Sequence, residues 1–182
     1  MSEDSKVSMD TVESTVHLHW SGLGDLDLMA LVVGKDNIEL VSFAHEGSLE
    51  EEPYLQLLSD FAFEEVPTDN QEILKISPQQ FLESASVWFF CWDFEHVEEG
   101  GTAPFSEYEL YLEVRQQDRR VSTTPFVESC DGNAVCISRW DIQGGEQNGV
   151  LMELNQPLSM PLLADMSEVK AHLHKWVQTT FR

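Results

Sequence analysis

Two aspartates, Asp25 and Asp27, alternate with leucine just ahead of an apolar run that ends at Gly34. On a strand, residues i and i+2 share a face. Two carboxylates placed that way repel each other unless they face water or share a cation. Calcium takes about six to eight oxygen ligands, mostly carboxylates and carbonyls, so the pair supplies only the beginning of a site. A second set of oxygen donors, Asp69, Asn70, Gln71 and Glu72, follows Val66-Pro67-Thr68 in a polar turn. Two of those four are uncharged amides, which weakens the attraction for a hard cation. Asp93 closes the most apolar stretch of the chain, where an unpaired carboxylate is costly. It either ligates a cation or caps a neighbouring turn. No Asp-x-Asp-x-Asp-Gly loop is present, so this is not an EF-hand.

Other chemistry finds less support. The histidines are His17, His19, His45, His96, His172 and His174. His17 and His19 share a strand face and suit a soft metal, whereas His172 and His174 fall on different faces of a helix, and all six read first as surface histidines. There is no His-Glu-x-x-His, no Gly-x-Ser-x-Gly elbow, no phosphate loop and no dinucleotide fingerprint. Cys91 lies in an apolar run where a thiol is inert. Three cysteines, Cys91, Cys130 and Cys136, make neither a disulfide framework nor a zinc site. No nucleophile–base pair can be nominated, and the chain reads as a non-enzyme.

The charge is the strongest compositional signal. Ten Lys and Arg stand against 33 Asp and Glu, a formal net charge of -23. Such a surface repels nucleic acid and anionic membranes and attracts cations or a basic protein partner. No run approaches a membrane span, and the polar N-terminus lacks the basic and apolar regions of a signal peptide, so a cytoplasmic protein is expected.

The elements that position these residues are mainly strands. Residues 1–14 read as a flexible acidic tail, and residues 15–182 as one domain. Val16–Trp20 and Gly24–Gly34 alternate or run apolar, and Lys35-Asp36-Asn37 turns the chain into Ile38–Phe43. Glu46–Glu52 reads as an acidic loop, and Tyr54–Phe63 suits a short helix or a strand. Ile73–Ile76 is a short strand, and Ser77-Pro78 starts a helical turn with Ser77 as its cap. Ala85–Phe94 reads as a central strand buried on both faces. Tyr108–Val114 is a strand with one wet face. Thr123–Val127 and Ala134–Trp140 form a hairpin through Cys130-Asp131-Gly132-Asn133, and a further turn leads to Val150–Leu154. Val169, Leu173, Trp176, Val177 and Thr180 recur at helical spacing, which predicts a helix over 167–180 with Ser167 as N-cap. The expected fold is an all-β, mainly antiparallel two-sheet sandwich with a C-terminal amphipathic helix.

With the elements placed, a pattern emerges. His19-Trp20, then Asp25-Leu26-Asp27 running into an apolar strand and Gly34, resembles the opening of the TerD-like stress proteins, the tellurium-resistance family. Val66-Pro67-Thr68-Asp69-Asn70-Gln71 stands where that family carries an acidic Gly-Asp-Gly-Asp-Asp-Glu loop. Phe90-Cys91-Trp92-Asp93 keeps the aspartate of a strand that ends in His-Asp-Ala, and Tyr111-Leu112-Glu113-Val114 is similar to the strand that follows. The resemblance covers roughly residues 16 to 142. It implies a cytoplasmic stress-response sandwich that binds calcium through acidic loops at one end. Carried over by position, Asp25, Asp27, Asp69 and Asp93 match family acids. Asn70 and Gln71 replace an Asp and a Glu, Pro67 replaces the Asp between the two glycines, and Glu109 stands about where the family has Asn. The implied calcium ligands are Asp25, Asp27, Asp69, Asn70 and Asp93. The alternative is a member that kept the sandwich, lost the metal and holds a basic protein partner on its acidic surface.

Overall fold

A computed structural model describes residues 6–21, 26–58, 70–93, 97–98, 100–101, 105–117, 119–125, 132–145 and 149–181. Twelve strands form two sheets. They are β1 (Lys6–Met9), β2 (Ser14–Trp20), β3 (Leu26–Val33), β4 (Ile38–Val41), β5 (Gly47–Ser48), β6 (Leu55–Leu58), β7 (Asn70–Ile76), β8 (Ala85–Asp93), β9 (Tyr111–Gln116), β10 (Arg119–Pro125), β11 (Ala134–Ile142) and β12 (Gly149–Leu158). A helix, α1 (Met166–Thr180), follows. Sheet A runs β1-β12-β11-β8-β3-β4 and sheet B runs β10-β9-β2-β7-β6-β5. Every pairing between these strands is antiparallel. The architecture is the expected sandwich with a C-terminal helix.

Alternation along each strand divides the side chains between two cores. The inward residues of both sheets, among them Val16, Leu18, Leu28, Leu74, Phe89, Leu112 and Trp140, form the core between the sheets. The outward residues of sheet A, among them Met29, Leu31, Trp88, Phe90, Trp92 and Cys136, form a second core with Val169, Leu173 and Val177 of α1. This is why the run Val87–Trp92 is apolar at every position: its odd residues face sheet B and its even residues face the helix. Trp176 lies edge-on to Phe90 at 5.8 Å, and Phe181 packs on Trp88 at 5.0 Å. Arg139 stacks its guanidinium 5.0 Å over Trp88 and bonds Asp141 through two donors, at 2.8 and 2.6 Å.

Several expectations are corrected. Lys6–Met9, placed in a tail, is a strand paired with β12 from Lys6↔Met152 to Met9↔Gly149. Val7 and Met9 turn one side of that strand to the inter-sheet core. Asp165, not Ser167, is the helix cap. Its carboxylate accepts the Glu168 N–H at 3.0 Å, and Glu168 reaches back to the Ala164 N–H at 2.8 Å. This reciprocal pair satisfies donors that the first turn leaves free. Thr180 is exposed, so the buried stripe is Val169, Leu173 and Val177. Ser77 precedes a 3-10 turn at Pro78–Gln80 and makes no side-chain cap bond. Leu55–Leu58 is a strand. Tyr108 sits in a 3-10 turn, Phe105–Tyr108, rather than in a strand. The hairpin expected through Cys130–Asn133 does not form, because β10 pairs with β9 in sheet B while β11 pairs with β8 and β12 in sheet A. The chain is in sheet B at Pro125 and in sheet A at Ala134, and Cys130 and Asp131 lie outside the described residues.

Candidate functional site

The strand order brings several strand ends that carry predicted ligands to one end of the sandwich. Trp20 closes β2 there, Leu26 opens β3, Leu58 closes β6, Asn70 opens β7 and Asp93 closes β8. The register agrees: Trp20 pairs with Asn70, and Leu26 pairs with Asp93. Of the five predicted ligands, Asp27, Asn70 and Asp93 lie in this region. Asp25 and Asp69 fall outside the described residues.

The three described ligands do not share a face. Asp27 is cross-strand partner to Trp92, and its carboxylate accepts the Trp92 indole N–H at 3.0 Å. Both belong to the outer, helix-bearing side of sheet A. Asp93 points the other way, between the sheets, at 1 % exposure. Its carboxylate accepts the Tyr108 hydroxyl at 2.8 Å, and its backbone N–H donates to Asn133 at 3.0 Å. Asn70 is exposed at the mouth of β7.

A further acid, Glu72, was read in the sequence as part of a turn. It belongs to β7, on the same side of that strand as Leu74 and Ile76. Its carboxylate crosses from sheet B to sheet A and accepts the Leu28 N–H at 2.5 Å. β4 pairs only with Ala30–Val33, so no strand reaches that N–H from that edge. Among the described residues, inward-facing Glu72 and Asp93 are thus carboxylates that the fold brings into the inter-sheet space at this end. Period-2 counting from the buried Leu74 and Ile76 was the available signal for Glu72. Nothing local announced Tyr108.

A calcium ion needs more oxygens than these residues assemble. Among the described residues, no group of three or more His, Cys, Asp or Glu is arranged to hold a metal ion. Asp27 and Asp93, on opposite faces of sheet A, do not converge, and both are engaged in hydrogen bonds. The described residues alone therefore do not fit a calcium site.

The outer face of sheet B carries different chemistry. His17 and His19 do share a face, with rings stacked at 5.9 Å, and Tyr111 continues the stack at 4.6 Å from His19. The His17 Nε2 bonds the Thr15 hydroxyl at 2.9 Å. Glu113, on the face expected to be wet, is buried and engages both Arg115 and Arg120. Burial pushes His17 down to about 4, helped by Arg115 and His19 and opposed by Glu113. An unfolded chain protonates this imidazole near its ordinary value of 6.5, so between there and about 4 the unfolded state binds more protons. Stability is therefore expected to fall as pH drops through that window. The His17→Gln variant should flatten that part of a curve of melting temperature against pH. A slope equal to the wild type's would rule His17 out as its source.

Cys136 is fully buried, and burial raises its thiol well above the ordinary range. Cys91 is buried too, which fits the inert reading. Among the described residues, no helix is long and apolar enough to cross a membrane.

No protein-family model matches the chain, and no curated protein matches it by sequence. Solved structures do match. A homologue of telluride resistance protein (TerD) from Streptomyces coelicolor A3(2) superposes with a TM-score of 0.59 at 12% identity, over 83% of this chain and 92% of that one. A protein of unknown function superposes with a TM-score of 0.54 at 12% identity, over 82% and 93% of the two chains. At that identity the likeness is one of fold: this chain has a TerD-like fold.

Proposed function

We propose that this chain is a non-enzymatic, TerD-like protein of the stress-response kind that works by binding, and that its acidic surface holds a basic protein partner. The observation that carries this reading is the segment Glu46–Glu52. Ser48 Oγ accepts the N–H groups of Glu50 and Glu51, each at 3.2 Å, and Glu46, Glu50, Glu51 and Glu52 are all exposed. Four carboxylates on one short, internally braced stretch present a concentrated negative field. The test is binding of a lysine-rich synthetic peptide. Affinity should fall steeply with salt, and the Glu50→Lys/Glu51→Lys/Glu52→Lys variant should lose several-fold, because exposed charges are screened and additive in sign. A peptide that binds the variant as tightly as the wild type would place the interaction elsewhere.

A second reading, calcium binding at the acidic end of the sandwich, is supported by the inward carboxylates of Glu72 and Asp93 and by the resemblance of Asp25 and Asp69 to family acids. Chelator-stripped protein would be melted against calcium, magnesium and sodium chloride at matched ionic strength. An ion held only by the folded state adds about 2.7 kcal/mol at about 100 times its Kd. A saturable, calcium-specific rise that Asp93→Asn abolishes would establish this reading. An equal response to all three salts would reduce it to screening.

A further inference from the structure

Cations are scarce in this chain, with 10 Lys and Arg in 182 residues. Four of them, Lys75, Arg115, Arg119 and Arg120, lie on the neighbouring strands β7, β9 and β10. The register puts three in one row across sheet B: Lys75 pairs with Thr15, Thr15 with Arg115, and Arg115 with Arg120. Strands are about 4.8 Å apart, so the row spans roughly 14 Å. It lies on the outer face of sheet B. The helix covers sheet A, and among the described residues its core cluster contains none from sheet B.

Two features mark this row as more than a solvated edge. Arg115 and Arg120 sit directly opposite each other, an arrangement that costs stability between like charges. One buried carboxylate, Glu113, reaches both, while exposed Glu13 stands 3.9 Å from Lys75. Three cations thus share two carboxylates in a chain that is otherwise overwhelmingly negative. The side chains keep donors in water, at 39% exposure for Lys75, 46% for Arg115 and 67% for Arg120. Second, Lys75 and Arg115 of the row line a surface depression whose walls also include Thr15, His17 and, beside Lys75, the carboxylate of Glu13.

We propose that this depression is an oxyanion site, taking the dianionic group of phosphate or of a small phosphate monoester between Lys75 and Arg115 above Thr15. Arg115 commits its Nε to Glu113, which leaves the two terminal nitrogens of its guanidinium for a planar, two-point contact with phosphate oxygens. Lys75 supplies a mobile charge from the opposite side. In the tautomer that carries the proton on Nε2, His17 donates to the Thr15 oxygen, which leaves the Thr15 hydroxyl proton for the anion. A dianion suits the row better than a single carboxylate, because it offsets both flanking cations at once. A long polyanion such as nucleic acid meets the repulsion of the remaining surface.

The test uses the full chain, free of calcium, titrated with inorganic phosphate at constant ionic strength set by sodium chloride. It is read by melting temperature and by nuclear magnetic resonance of the histidine ring protons. Phosphate should raise the melting temperature saturably and shift the His17 and His19 ring signals before those of His172 and His174. Lys75→Gln, an exposed change that leaves Glu113 paired, should weaken binding about tenfold. A small phosphate monoester should bind as phosphate does if the site reads the dianion alone. A response to phosphate no larger than to chloride, unshifted His17 and His19 signals, or an unchanged affinity in Lys75→Gln would each overturn the proposal. None of these outcomes depends on the acidic segment or on calcium.

Discussion

Replacing Leu173 by alanine is expected to lower unfolding stability by about 2–5 kcal/mol, a large share of the roughly 5–15 kcal/mol that holds a domain together. Leu173 is 0 % exposed and lies at the centre of the buried stripe of α1, between Val169 and Val177. It shares a core with Met29, Leu31, Trp88, Phe90 and Trp92 of sheet A. Truncation removes the transfer energy of the lost methyl groups and leaves a cavity under the helix. Leu173→Asp should go further, because an unpaired carboxylate in that layer is strongly disfavoured. The helix would then detach and bare the aromatic face of sheet A, read by binding of a hydrophobic dye and by self-association. Gln178→Ala, on the exposed side of the same helix, should stay within about 0.5 kcal/mol of the wild type. Urea unfolding of the three variants decides the matter. A Leu173→Ala protein as stable as Gln178→Ala would show that α1 does not complete the core.

The Glu72→Ala variant is expected to cost about 1–3 kcal/mol and to speed amide exchange at Leu28 selectively. The Leu28 N–H is buried, and the Glu72 carboxylate supplies its acceptor. Without that acceptor the donor stays buried and unsatisfied, the most expensive way to lose a hydrogen bond. Glu72→Gln keeps an acceptor oxygen and should recover part of the loss. Because this bond ties β7 to β3, the two sheets should also loosen first at this end. Unchanged exchange at Leu28 in Glu72→Ala would mean that the bond contributes nothing to closing the sandwich. The same variant bears on calcium: the carboxylate is already committed to a backbone donor, so an ion there would have to compete with that bond or share the oxygens.

Much of the fold is legible along the chain because it is encoded locally. Alternation in Val16–Trp20, the Lys35-Asp36-Asn37 turn and the i, i+4, i+8 stripe of Val169, Leu173 and Val177 each report one element's own environment. The doubly apolar Val87–Trp92 announces a strand covered on both sides, though not by what. The acidic residues are legible as residues, and their spacing along each strand gives their parity.

What the sequence by itself determined is therefore most of the elements, their amphipathic faces and a surface of extreme negative charge. Only the tertiary structure decided how these elements meet. β1 finds β12, more than a hundred residues away, and β10 and β11 part into different sheets, because strand pairing is a non-local choice that no single run of residues contains. The same applies to the acids. Register sets Asp27 beside Trp92 and Asp93 beside Leu26. Sheet packing then turns Asp93 inward and Asp27 toward the helix, and it brings Glu72 across to Leu28. Side-chain direction alternates along a strand, but which face becomes interior is fixed only when a second sheet or a helix packs against it.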